Sequence, residues 1–188
     1  MDIDRKLVKG NLRTKGGRGL HAAQMTSLDA ARLLTAILAS PLASASAEVV
    51  ERYARTRVDK TRSSDKFYAA AQLDDLSSLP VGHSFVDGLA SLITSASKGT
   101  LAQLRAKAGE DWVPQIEIFA FTRVTRGRIR VAGLPSRLTA SVEYMPSKGG
   151  HPSPPAATGD LEQSRRITER TILAVAQLLS LEDRHERS

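Results

Sequence analysis

The strongest constraint on the fold is a change of pattern late in the chain. Up to Gly109 the apolar residues recur mainly at helical spacing. After Trp112 and Pro114, the run Gln115-Ile116-Glu117-Ile118-Phe119-Ala120-Phe121-Thr122-Arg123-Val124 is rich in branched and aromatic residues. Thr125-Arg126-Gly127 supplies a turn, and Arg128-Ile129-Arg130-Val131 then alternates basic with apolar residues. Leu138, Ala140, Val142 and Tyr144 alternate with Thr139, Ser141 and Glu143. A period of two predicts three antiparallel strands in a meander, with one face buried and the arginines on the other. Helices followed by strands make an α+β pattern.

The helical part begins with its clearest element. Thr26 is a good N-cap, Asp29 completes a capping-box-like pair, and Pro41 ends the run, which predicts a helix over 27–39. Its apolar face reads Leu28, Ala31, Leu34 and Leu38, widened by Leu33 and Ile37. A second helix is expected over 46–57, with Val49, Val50 and Tyr53 inward and Arg52, Arg55 and Arg57 outward. Residues 66–73 suit a short helix and 74–82 a loop. Ser84 can cap a helix carrying Phe85, Leu89, Leu92 and Ile93, in which Gly88 either weakens the helix or marks a close crossing. Leu101, Leu104 and Ala108 continue the helical period.

Residues 146–159 are rich in Pro, Gly and Ser and read as a linker or loop. Beyond them an amphipathic helix is expected from Asp160 or Leu161 to Leu181. One stripe carries Ile167, Thr171, Ala174, Leu178 and Leu181, with Ile172, Val175 and Leu179 beside it. The expected organisation is a basic segment over 1–20, a helical and antiparallel-sheet domain over 21–145, the linker, and a C-terminal helix with charged tail over 160–188.

Chemistry is limited by what the chain lacks. There are no cysteines, which excludes disulfides, thiol catalysis, iron–sulfur clusters and cysteine-ligated zinc. His21, His83, His151 and His185 are scattered, and neither a nucleophile elbow nor a nucleotide-binding glycine fingerprint is present. No catalytic residue, metal or cofactor is therefore assigned, and a non-enzymatic protein is expected. A pocket joining His83, Ser84 and Asp87 is the arrangement an enzyme would need. No apolar region follows Met1 as in a signal peptide, and no apolar run reaches membrane-spanning length, so a cytoplasmic, membrane-free protein is expected.

A net charge of +7 favours an anionic partner. Gly16-Gly17-Arg18-Gly19, flanked by Arg13 and Lys15, lets backbone and cations approach phosphate closely. Residues 2–9 suit two helical turns, ended by Gly10 and Asn11, and add Arg5, Lys6 and Lys9 to that patch. Arg126, Arg128 and Arg130 form a second candidate surface, since a two-stranded ribbon can enter a major groove. The expected partner is duplex DNA, held through its phosphates. The alternative is a protein-interaction or structural module that forms a homo-oligomer through its C-terminal helix.

The segment Asn11-Leu12-Arg13-Thr14-Lys15-Gly16-Gly17-Arg18-Gly19, with Met25-Thr26 and Ala30-Ala31-Arg32-Leu33-Leu34, resembles a group of uncharacterised bacterial and prophage-associated proteins. In these, such a segment follows a small helix-turn-helix or winged-helix unit. The resemblance covers about the first forty residues and implies that Asp4, Arg5, Lys6 and Lys9 lie in the C-terminal part of a recognition helix. The earlier helices of a complete unit would then be missing ahead of Met1: either the true start lies further upstream, or the chain is a shortened relative with a remnant of a DNA-binding unit.

Overall fold

The computed structural model describes residues 3–14, 24–107, 115–122, 124–132, 139–147 and 163–185. It is an α+β fold with one antiparallel sheet. The strands are β1 (Thr56–Val58), β2 (Gln115–Phe121), β3 (Arg126–Ala132), β4 (Ala140–Pro146) and β5 (Ser164–Thr168), in the order β1-β4-β3-β2-β5. The expected meander is present as β2, β3 and β4, but the sheet has five strands, not three. The two additional strands are its edges. Thr56–Val58 pairs with β4 where a helix end was expected, and Ser164–Thr168 pairs with β2 where the last helix was expected to begin. Neither segment carries enough apolar alternation to announce a strand. Each is held by a partner distant in sequence, so tertiary pairing decides its conformation.

The helices are α1 (Ile3–Lys9), α2 (Ser27–Ala39), α3 (Ser46–Ala54), α4 (Phe67–Ala71), α5 (Asp74–Ser77), α6 (Phe85–Ser97), α7 (Thr100–Lys107) and α8 (Glu169–His185). The capping box predicted for α2 is formed in both directions between Thr26 and Asp29. Ser84 and Asp87 repeat it at α6. Asn11 adopts a left-handed conformation (φ 55°) just beyond α1, which fits the stop expected there. The 46–57 helix ends at Ala54, and the 74–82 loop contains the single-turn α5. The final helix starts at Glu169, whose carboxylate accepts the Ile116 N–H and ties that start to β2.

The inner sheet face carries Ile116, Ile118, Ala120, Ile129, Val131, Val142 and Tyr144. These pack with Leu34 and Leu38 of α2, Leu89, Leu92 and Ile93 of α6, and Ile172 of α8 in one buried cluster. Leu28 and Ile37, assigned to the buried face of α2, are instead exposed. A separate small cluster of Leu7, Ala36 and Val50, with Ile3, Leu12 and Leu33 against it, fastens α1 to α2 and α3. Ala36 and Val50 face away from the residues those helices give to the main core. Thus α1 lies on the outside of the helical layer.

The α6 helix and the sheet approach each other closely at two glycines. A Cβ on Gly88 would lie 2.5 Å from the Tyr144 hydroxyl, and one on Gly127 would lie 2.2 Å from the Phe85 ring. Gly88 therefore marks a close crossing. Phe85 makes edge-on contacts with both Tyr53 and Tyr144. The Tyr53 hydroxyl accepts the Phe121 N–H and lies 2.8 Å from the Phe121 and Arg126 carbonyl oxygens, bridging β2 and β3. Gly88→Ala should lower unfolding stability by about 1–3 kcal/mol through overpacking. Because the nearest obstacle is a hydroxyl, adding Tyr144→Phe should give a double variant more stable than the sum of the single losses; strict additivity in urea melts would contradict the crossing.

Candidate nucleic-acid interface

Strand alternation turns a second set of residues away from the core. On β2 these are Glu117, Phe119 and Phe121; on β3, Arg126, Arg128 and Arg130; on β4, Ser141 and Glu143; on β5, Arg166. Register places Arg130 directly opposite Glu117 and Arg128 opposite Glu143. Phe119 lies between Arg128 on one neighbouring strand and Arg166 on the other. The arginines of the predicted hairpin are thus central to a broad sheet surface.

Each carboxylate holds two guanidinium groups. Glu143 pairs with Arg126 Nε at 3.0 Å and with Arg128 Nε. Glu117 pairs with Arg130 Nε at 3.0 Å and with Arg166 Nη1 at 2.5 Å. The glutamate side chains are only 4% and 9% exposed, whereas those of Arg128, Arg130 and Arg166 are 31%, 39% and 56% exposed. The carboxylates therefore lie beneath the cations and orient them. Arg126 and Arg128 also lie over the Phe121 ring, at 4.5 and 5.8 Å from its centroid. Four guanidinium charges exceed two carboxylate charges by two, so this face retains positive charge.

The other basic set is elsewhere. Arg5 and Lys9 are exposed on α1 and Lys6 is half-buried, all on the outside of the helical layer. The sheet arginines project from the side of the sheet opposite that layer. Arg13 is ion-paired with Asp4. Lys15, Arg18 and the glycines between and around them lie outside the described residues, as do His21, Arg123 and residues 148–162. Thr14 and Thr26, on either side of the basic glycine segment, both bind Asp29. The Thr14 N–H and hydroxyl both donate to Asp29 at 3.0 Å, and Thr26 donates to it as well. Burial pushes the Asp29 carboxyl up, but these hydrogen bonds outweigh it and hold its pKa below the usual value.

Sequence reasoning singles out Arg126, Arg128 and Arg130 but not Glu117, Glu143, Phe119 and Arg166, which the sheet brings beside them. Glu143 was assigned to the same polar face, and strand register supplies the pairing that alternation alone does not. Arg166 was hidden because its segment was read as helical.

His83, Ser84 and Asp87 do come close together, but their side chains serve structural contacts. Ser84 and Asp87 are occupied in the α6 cap. His83 Nδ1 lies 3.1 Å from the Pro80 carbonyl oxygen, so Nδ1 carries the proton and Nε2 accepts the Tyr144 hydroxyl at 3.0 Å. The ring lines a cleft of about 550 Å³ between the loops around Ser63 and Pro80. No group of three or more potential metal ligands occurs among the described residues, and no helix among them is long and apolar enough to cross a membrane. On α8, Ile172 and Ala176 are buried, while Leu178 and Leu181 are 63% and 52% exposed. No protein-family model, curated protein or solved structure matches the chain.

Burial lowers the His83 pKa below its ordinary value of 6.5, so the folded protein keeps the ring neutral. Protonation then favours the unfolded chain. This contribution to stability is complete above about pH 6.5 and is lost as pH falls from there through the lower folded-state pKa. His83→Gln should flatten the stability profile in that window, read as the urea midpoint against pH. A decline of the same steepness in the variant would assign the effect to other groups.

Proposed function

We propose that this chain is a non-enzymatic DNA-contacting protein that grips phosphates with the arginine face of its sheet. The observation that supports this reading is the convergence of four arginines on two buried glutamates, with cation in excess on the solvent side. Guanidinium groups match phosphate with paired N–H donors. Their carboxylate and aromatic partners hold them in place before a ligand arrives, which reduces the ordering cost of binding. Displacement of counterions from the polyanion then supplies much of the affinity. Arg5, Lys6 and Lys9 act, on this reading, as a separate and weaker attraction.

The double variant Arg128→Gln/Arg130→Gln leaves each glutamate one arginine partner, so the fold is retained. Its DNA affinity should fall at low salt, and the slope of log affinity against log salt should shrink by about 1.8, or about 0.9 per lost phosphate contact on duplex. The triple variant Arg5→Gln/Lys6→Gln/Lys9→Gln should change that slope less. An unchanged slope for the Arg128/Arg130 variant in an anisotropy titration would overturn the assignment.

A second reading, self-association, draws on the exposed Leu178 and Leu181 of α8. If it holds, the chain sediments as an oligomer, and Leu178→Glu/Leu181→Glu sediments as a monomer. A wild-type chain that is monomeric throughout the concentration range would remove this reading.

A further inference from the structure

We infer that the arginine face takes single-stranded nucleic acid, with Phe119 as a platform for a stacked base. This inference rests on the phosphate-binding reading above and specifies its partner. The groove-insertion mode expected for a two-stranded ribbon does not fit the sheet. The β2–β3 ribbon is flanked by β4 and β1 on one side and by β5 on the other. Five strands at about 4.8 Å spacing span about 19 Å between the outer two. A B-form major groove is about 12 Å wide. A sheet of that breadth meets nucleic acid with its open face.

The open face carries the two components that a single strand requires. Cations track the backbone, and a ring presents its flat side to a base. Phe119 sits on the polar face of β2, half-buried, between the register positions of Arg128 and Arg166. Its neighbour on the same face, Phe121, is differently placed: it is 6% exposed and lies beneath the Arg126 and Arg128 guanidinium groups. Phe121 therefore seats the arginines, and Phe119 is the more exposed of the two residues. Apolar Phe119 among paired charges adds little to a surface that meets only phosphates. A duplex turns its bases inward and cannot use the ring, whereas an unpaired strand can stack on it while its phosphates reach Arg128, Arg130 and Arg166. Each guanidinium has five N–H donors, so carboxylate pairing leaves donors for phosphate.

The test is an anisotropy titration of the full chain with three labelled probes at low salt: oligo(dT), oligo(rU) and a mixed-sequence DNA duplex. We expect tighter binding to at least one single strand than to duplex, the stronger of the two deciding between DNA and RNA. Phe119→Ala should weaken that single-strand affinity about tenfold and leave duplex affinity and the salt slope unchanged. Phe119→Trp should restore it, which a merely structural role for the ring would not produce. Arg128→Gln/Arg130→Gln should weaken all three probes. Duplex affinity equal to or above both single strands, or an unaltered single-strand affinity in Phe119→Ala, overturns the inference; the phosphate reading then survives if the arginine variant still weakens binding. Absence of binding to every probe overturns both.

Discussion

The packing of α6 against the sheet at Gly88 and Gly127 determines where everything else in the molecule can be. At both points the missing Cβ is replaced by an aromatic group from the other layer, the Tyr144 hydroxyl or the Phe85 ring. Close approach there brings Phe85, Tyr53 and Tyr144 into edge-on contact and lets the Tyr53 hydroxyl reach the backbone of both β2 and β3. These contacts hold the helical layer, β2, β3 and β4 in one relation. With the inner face so tightly occupied, alternation leaves the charged residues of the same strands only the other side.

That constraint also protects the register. A shift of one residue would bring Arg128, Arg130, Glu117 and Glu143 into an apolar core, at a cost far above that of a misplaced leucine. In the observed register each glutamate is shielded from water yet flanked by two cations. Such buried pairs add little net stability relative to apolar residues. Their effect here is geometric. They hold flexible arginine side chains in a row along one surface, and binding surfaces gain from groups already in position.

How much of this could be read in advance depended on how local each signal was. Thr26 with Asp29, the apolar spacing through Leu38, and Pro41 all act within one helix, and α2 was legible almost to the residue. Ile129 and Val131 alternating with Arg128 and Arg130 act within one strand, and their faces were legible too. The edges were not. Thr56-Arg57-Val58 has too few residues for a period, and Ser164-Arg165-Arg166-Ile167-Thr168 has a single large apolar residue; both become strands because β4 and β2 offer unpaired edges. Leu178 and Leu181 belong to the same kind of case. Helical spacing identified an apolar stripe on α8, but the side that docks is the one bearing Ile172 and Ala176. The partners of the candidate site were obscured for the same reason, since Glu117 meets Arg166 only after β5 closes the sheet.

Net charge is therefore a weaker guide to this protein than charge placement. Some of its arginines are paired nearby: Arg13 with Asp4, Arg52 with Glu48 and Arg55 with Glu51. The two pairs on α3 are exposed i,i+4 pairs of a kind that contributes little to stability and presents no concentrated field. The lysines and arginine of α1 stand across the helical layer from the sheet arginines, so the two sets cannot act as one surface on a short stretch of ligand. On the sheet, by contrast, cations outnumber carboxylates within a few strand widths and surround a half-buried ring that makes no contribution to the main core. Packing accounts for Phe121, which the guanidinium groups cover, but leaves Phe119 partly exposed at a register position between two arginines. The proposed partner, with both phosphates and flat, unpaired bases, would use all of these residues together.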